Sequence, residues 1–235
     1  MEYTIAELHL HTAESSWCGK MSAVDAIPLF KENGYDLVCV TDHFNYEYFQ
    51  DYYKYGKWKA CVHRWYAGWY TAKEAGEKCG VTVLHGAEFR FRESFADYIV
   101  YGMTDELYHD HPEMLDMTSA EFSVFAREHG LYFSQAHPFR NDFQCDPKYL
   151  DGIEIYNFHP TEDSDNHLAV EVAKKNPHLI PTCGQDFHFA EAMQGAKTRF
   201  FGKVSDMPTL IAKLRAREYE MILPDGRIVD PKNPQ

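Results

Sequence analysis

Several things are scarce in this sequence, and each scarcity excludes something. The six cysteines, Cys18, Cys39, Cys61, Cys79, Cys145 and Cys183, include no Cys-x-x-Cys pair. A chain of 235 residues can bury a stable core without covalent staples, so the cysteines are expected to be reduced, mostly buried thiols rather than a disulfide framework. Nowhere do about 18 apolar residues run together, and the opening Met1-Glu2-Tyr3-Thr4-Ile5 carries no basic region followed by an apolar stretch. A membrane span and a secretion signal are therefore not expected, and the reading is of a soluble, cytoplasmic protein. Basic residues are also few: 23 Lys and Arg stand against 36 Asp and Glu, a formal charge of -13. Such a surface repels polyanions, which makes long nucleic acid a poor partner. No internal repeat, low-complexity stretch or linker interrupts residues 1–235, so one domain is expected.

What the sequence does contain is an alternation of strand-like and helix-like segments. Tyr3–Leu10, Leu37–Thr41, Val81–Leu84, Tyr98–Tyr101, Leu131–Gln135, Gly152–Tyr156 and Ile180–Cys183 are short and rich in Val, Ile, Leu and Tyr. Between them lie helix signals. Ser22 with Asp25 resembles a capping box for a helix to Asn33, stopped by Gly34, and Thr118 with Glu121 opens another, closed by Gly130. Ser164 opens a third before Pro177, and Asp206 with Pro208 a last one to about Arg217. Trp58–Lys78 is expected as the longest, with Trp65 and Trp69 on one face. Strands separated by helices of this length predict an α/β fold with a parallel sheet, open or closed into a TIM-like barrel whose chemistry gathers at the carboxyl ends of the strands. The tail Pro224–Gln235 reads as a surface strap or a frayed end.

The strand ends are where His, Asp and Glu collect. Glu7-Leu8-His9-Leu10-His11 puts two imidazoles at i and i+2, on one side of an extended strand. Thr41-Asp42-His43, Gly86-Ala87-Glu88, Ala136-His137-Pro138 and Gln185-Asp186-Phe187-His188 each follow an apolar run. Imidazole with carboxylate suits zinc, manganese or iron better than calcium or magnesium. A mononuclear site needs about three or four protein ligands, and His9, His11, His43, Glu88, His137, Asp186 and His188 exceed that, with Asp42 as a further carboxylate. The excess points to two or three metals with Glu88 bridging. Isolated histidines, His63, His85, His129, His167 and His178, read as surface or hydrogen-bonded core residues, whereas His159 lies on the active rim.

These motifs, in this order over residues 4 to 190, resemble the polymerase and histidinol phosphatase (PHP) family of metal-dependent phosphoesterases. The resemblance implies a distorted (β/α)7 barrel. It also implies one metal on His9, His11, Glu88 and Asp186, a second on Glu88 and His43, and a third on His137 and His188. Two positions depart from the family pattern. Where trinuclear members carry a ligand about six residues past the second histidine, this chain has Trp17, leaving Cys18 or Glu14 to substitute. Where many members have a histidine after the fourth strand, this chain reads Gly102-Met103-Thr104, with His109 and His111 a few residues on.

The expected reaction is hydrolysis of a small phosphorylated metabolite, a metal-activated hydroxide attacking phosphorus. Arg140 first and Arg90 second are the expected phosphate-binding cations, since a guanidinium grips two oxygens at once; Arg92 reads as an ordinary ion pair. Asp42 serves the chemistry either as a ligand or by orienting an imidazole. The aromatic stretch Phe44–Tyr70 reads as a lid over the active-site mouth continuing into a packed helix. A phosphodiesterase acting on nucleotides and a non-catalytic metal-binding module are the alternatives.

Overall fold

A computed structural model describes residues 2–92, 94–140 and 146–234; Cys145 lies outside them. In chain order the elements are β1 (Tyr3–Leu10), α1 (Ala23–Glu32), β2 (Leu37–Val40), β3 (His43–Asn45), α2 (Gln50–Tyr55), α3 (Trp58–Trp65), α4 (Ala67–Cys79), β4 (Thr82–Arg90) and β5 (Tyr98–Tyr101). They continue with α5 (Asp105–Asp110), α6 (Ser119–Glu128), β6 (Tyr132–Gln135), β7 (Gly152–Asn157), α7 (Asn166–Lys175), β8 (Ile180–Gly184), β9 (Lys197–Phe201), α8 (Met207–Ala216), β10 (Tyr219–Ile222) and β11 (Ile228–Val229). No described helix is long and apolar enough to cross a membrane.

The strands form one curled sheet in the order β11-β10-β9-β1-β2-β4-β5-β6-β7-β8, with β3 beside β4. The curl brings the chain after β8 back to β1: Leu10 bridges Phe187 in parallel, His11 N–H donates to the Phe187 carbonyl at 2.9 Å, and Phe187 N–H donates to the His9 carbonyl at 3.0 Å. The sheet is mixed, where an all-parallel one was expected. β5 runs antiparallel to both β4 and β6, because the link from β4 is too short for a crossover helix and the chain must reverse. β9, β10 and β11 add an antiparallel extension on β1, so the first half of the expected tail, as far as Val229, is ordered as a hairpin around Gly226 (φ 83°).

Two helix boundaries and one helix cap also differ from expectation, each through a tertiary contact. The Trp58–Lys78 helix splits at Tyr66, where Ser15 Oγ donates to the Trp65 carbonyl at 2.6 Å and accepts from Gly68 N–H at 2.8 Å. A side chain inserted into the helical ladder interrupts it. At α1 the Glu14 carboxylate, not Ser22, receives the Ala23 N–H, at 3.1 Å. The third helix begins at Asn166, because Ser164 Oγ is engaged by Arg140. The Thr118–Glu121 capping box forms as expected.

The aromatic stretch is mostly core rather than lid. Phe44, Phe49, Trp58, Trp65 and Tyr66 are buried, with Phe44 packed against Phe49, Trp65 and Phe89 at ring centroid distances of 4.5, 5.0 and 4.5 Å. This packing holds β3, and thereby His43, against β4.

Candidate metal centre

The carboxyl ends of β1, β2, β4, β6, β7 and β8 share one rim, and the side chains there converge. His9 Nε2 lies 3.1 Å from His11 Nε2, 3.2 Å from Glu88 Oε1 and 3.4 Å from Asp186 Oδ1. His11 Nε2 is 3.3 Å from both Glu88 Oε2 and Asp186 Oδ1. His43 Nδ1 stands 2.8 Å from Glu88 Oε2, and His137 Nε2 stands 3.0 Å from Glu88 Oε1. Glu88 is thus the common partner of four imidazoles. Among the described residues, donor atoms cluster in four groups: His9, Glu88 and His137; His9, His11 and Asp186; His43, Glu88 and Asp97; and His11, Cys18, His43 and His188. His137 and His188 fall in separate groups and Asp42 in none.

Three of these atoms mark where cations would sit. Glu88 Oε2, Asp186 Oδ1 and His43 Nδ1 are buried without a hydrogen-bond partner, although each faces others at short distance. Buried polar atoms without partners are costly, and a bound cation removes that cost. The residues present therefore fit divalent metals. Backbone strain supports this placement: His137 (φ 24°) and Asp186 (φ 50°) are in left-handed territory that side-chain-bearing residues avoid, and such outliers gather at functional sites.

Electrostatics keep the carboxylates ionised despite burial. For Glu88, burial works upward, but the charges of His9 and His43, the adjoining His11 and the bond from His137 hold it well below the ordinary value. Asp186 behaves likewise under His9, His11 and Arg140. Conversely, burial pulls the imidazoles down, yet the Asp186, Glu154 and Glu88 carboxylates hold His9 well above its usual value. Burial and the nearby His43 pull His11 down, but the adjoining Asp186 and Glu88 carboxylates outweigh them and it ends at about 9.

Supporting residues that the sequence pattern did not single out complete the centre. Glu154, inside β7, accepts from His9 Nδ1 at 3.1 Å, from His137 N–H at 3.0 Å and from Asn157 Nδ2 at 2.8 Å. It thereby turns His9 Nε2 toward the cluster. Gly184 leaves room for it, since a Cβ there would lie 2.6 Å from both Glu154 Oε1 and His9 Cβ. Glu7 Oε1 accepts from the N–H groups of Leu8, His9 and Gln185 at 3.0, 2.8 and 3.0 Å, tying β1 to the end of β8. Both acids are single charges inside apolar strand runs, which was a readable signal. Asp97 precedes β5; because β5 is reversed, its beginning rather than its end lies on the active rim. Thr104, where a ligand was expected, is on the opposite side as the N-cap of α5. His109 and His111 are there too, bonded to the Asp105 carbonyl and to Glu113.

The remaining candidates line a cleft of about 390 Å³ over the cluster, with Cys18, Lys20, Arg90, Arg140 and His159. Arg140 donates to Asp186 Oδ2 at 2.6 Å, to Asn157 Oδ1 at 2.5 Å and to Ser164 Oγ at 3.1 Å, and its Nε is buried without a partner. Arg90 is held bidentately by Asp97 at 2.7 and 2.6 Å; Arg92 reaches Asp116 outside the cleft. Asp42 accepts from Thr12 N–H, Thr12 Oγ1 and Ser16 Oγ at 2.7, 2.8 and 2.7 Å, and Ser16 Oγ meets His11 Nδ1 at 3.2 Å. It orients the His11 loop. A larger cavity of about 740 Å³, lined by Trp69, His85, Met103 and Ile211 among others, contains none of these donor clusters.

The PHP domain model matches residues 7–178, which include every donor of these four groups except Asp186 and His188. The chain belongs to the PHP family. PHP proteins are metal-dependent phosphoesterases. No curated protein matches the sequence. Among solved structures, a two-domain Bacteroides vulgatus protein containing a predicted PHP-like metal-dependent phosphoesterase is similar, with TM-score 0.67 and 16% identity over 94% of this chain and 65% of that one. The lesion-specific endonuclease PfuEndoQ from Pyrococcus furiosus gives TM-score 0.61 and 14% identity over 98% and 60% of the two chains. PsfC from Pseudomonas syringae gives TM-score 0.55 and 17% identity over 87% and 85%. The PHP chain described here thus spans less than two thirds of the first and of the endonuclease, and identities this low establish the shared fold alone.

Proposed function

We propose that this chain hydrolyses phosphate monoesters of small metabolites with the help of two or three divalent ions, zinc, manganese or iron. The observation that carries the reading is the convergence of His9, His11, His43, His137 and Asp186 on Glu88, with unpartnered carboxylate oxygens at its centre. Bound there, divalent ions supply an activated water and neutralise charge on a phosphoryl group. The chain's own residues do the rest. Glu88, having two oxygens, would hold more than one ion, and His9 and His11 would present lone pairs fixed from behind by Glu154 and Ser16. Arg140, with its unpartnered Nε, and Arg90 neutralise charge gathering on the equatorial oxygens.

The cleft volume suits a small ligand, and the formal charge of -13 disfavours a long polyanion. The likeness to an endonuclease favours a second reading, cleavage of phosphodiesters in nucleic acid. A chromogenic monoester and its diester analogue, assayed side by side with manganese-, zinc- and iron-loaded protein, separate the two. Preference for the monoester is expected; preference for the diester replaces the first reading with the second. Arg140→Ala is expected to keep its metal and raise KM; an unchanged KM removes Arg140 from the site.

A further inference from the structure

Among the described residues, Cys18 is the one thiol placed among the metal-ligating histidines. It is exposed at the cleft mouth, while Cys39, Cys61 and Cys183 are buried. Its Sγ lies 3.0 Å from His188 Nε2, and donor atoms of Cys18, His11, His43 and His188 all fall within 4.8 Å of one another. His188 is aimed: Nδ1 meets the Asp186 carbonyl at 2.7 Å, which as a donor leaves the lone pair on Nε2, facing the sulfur. The rings of His188 and His43 stand 4.3 and 4.4 Å from that of His11, one on each contact. The neighbouring alternative is excluded by its own bonds. Glu14 gives both oxygens to the Ala23 N–H at the start of α1, and Trp17 has no donor for a cation and is 73% exposed.

We infer that Cys18 binds as a thiolate, with His188 and His43, to an ion distinct from those held by the carboxylate-rich groups around Glu88 and Asp186. Assigning His43 and not His11 to this ion follows from donor count: each imidazole nitrogen offers one lone pair, and both nitrogens of His11 are engaged, Nδ1 by Ser16 and Nε2 by Glu88 and Asp186, whereas His43 faces Glu88 through Nδ1 and keeps Nε2 for a second partner. One thiolate with two imidazoles is a soft donor set, which favours zinc or iron over manganese and magnesium. Three protein ligands leave a coordination position open toward the cleft that also holds Arg90 and Arg140. The centre thereby becomes chemically uneven, with hard carboxylate positions beneath and a soft position at the mouth. This rests on the metal-centre part of the proposed function but not on the identity of the substrate.

The test reads metal directly. The full chain, reduced and metal-free, is titrated with cobalt(II), and a thiolate-to-cobalt charge-transfer band in the near ultraviolet is expected, together with the weaker visible bands. Cys18→Ser is expected to lose that band and one equivalent of bound zinc by elemental analysis. In the unaltered protein, zinc is expected to protect Cys18 from iodoacetamide, followed by mass spectrometry of its peptide, so the inference is tested without relying on a variant that folds. Bound cobalt without the band, unchanged zinc content in Cys18→Ser, or equal alkylation of Cys18 with and without zinc overturns it. None of these readouts requires turnover. A band without hydrolysis of any phosphoester leaves the thiolate ligand standing and removes the phosphatase reading, whereas hydrolysis without the band does the reverse.

Discussion

At the residue scale, Glu88 is the position on which the centre turns, because its two oxygens are met by His9, His11, His43 and His137. Glu88→Gln replaces one anionic oxygen by an amide nitrogen that cannot ligate, so loss of metal and of turnover with the fold retained is expected. Elemental analysis and circular dichroism check this, and full metal content in the variant contradicts the assignment. The same charges set a pH dependence. In the metal-free protein His11 keeps its proton up to about pH 9, held there against burial by the adjoining Asp186 and Glu88 carboxylates. A metal must displace that proton, so apparent affinity rises with pH below that point, about tenfold per unit for each proton released. Calorimetric titration at neutral pH in buffers of different ionisation enthalpy reads the release; heats independent of buffer contradict it.

At the element scale, the break between α3 and α4 is a device for holding the His11 loop. Gly68 is pressed so closely onto that loop that a Cβ would lie 2.1 Å from Thr12 Oγ1 and 2.5 Å from Asp42 Oδ2. Gly68→Ala must push Thr12 and Asp42 aside, and with them Ser16, the partner of His11. Weakened metal binding and a loss of stability of about 1–3 kcal/mol are expected, in the range for overpacking a tight contact. Denaturant unfolding with a metal titration measures both, and an unaffected metal affinity severs this helix break from the site. The reversal of β5 is a second such device, bringing Asp97 rather than Thr104 to the rim.

At the scale of the whole molecule, the curled sheet gathers buried carboxylates that repel one another unless cations or protonated imidazoles lie between them. Metal binding is therefore coupled to stability. With free metal about 1,000-fold above its dissociation constant, each ion adds about 4 kcal/mol to the folded state, which for a chain of this size corresponds to a thermal midpoint about 10 °C higher. Calorimetry before and after chelation measures the shift. An unchanged midpoint means that the cluster is stable without ions, contrary to its unpartnered buried atoms.

Much of this was legible in the sequence. The seven strand runs, the capping box at Thr118 and the order of His9, His11, His43, Glu88, His137, Asp186 and His188 are local patterns, because strand alternation and capping act between residues a few positions apart. The apolar runs and the donor types by themselves determined an α/β chain carrying imidazoles and carboxylates suited to transition metals. Only the tertiary structure decided which donors meet. The pairing of Leu10 with Phe187, the reversal of β5 and the reach of Glu154 to His9 join segments far apart in the chain. Strand direction and ring orientation there are chosen by packing and hydrogen-bond satisfaction across the whole sheet. That packing divided the histidines into separate groups, set Cys18 beside His188, and drew the aromatics after His43 into the core instead of over the cleft.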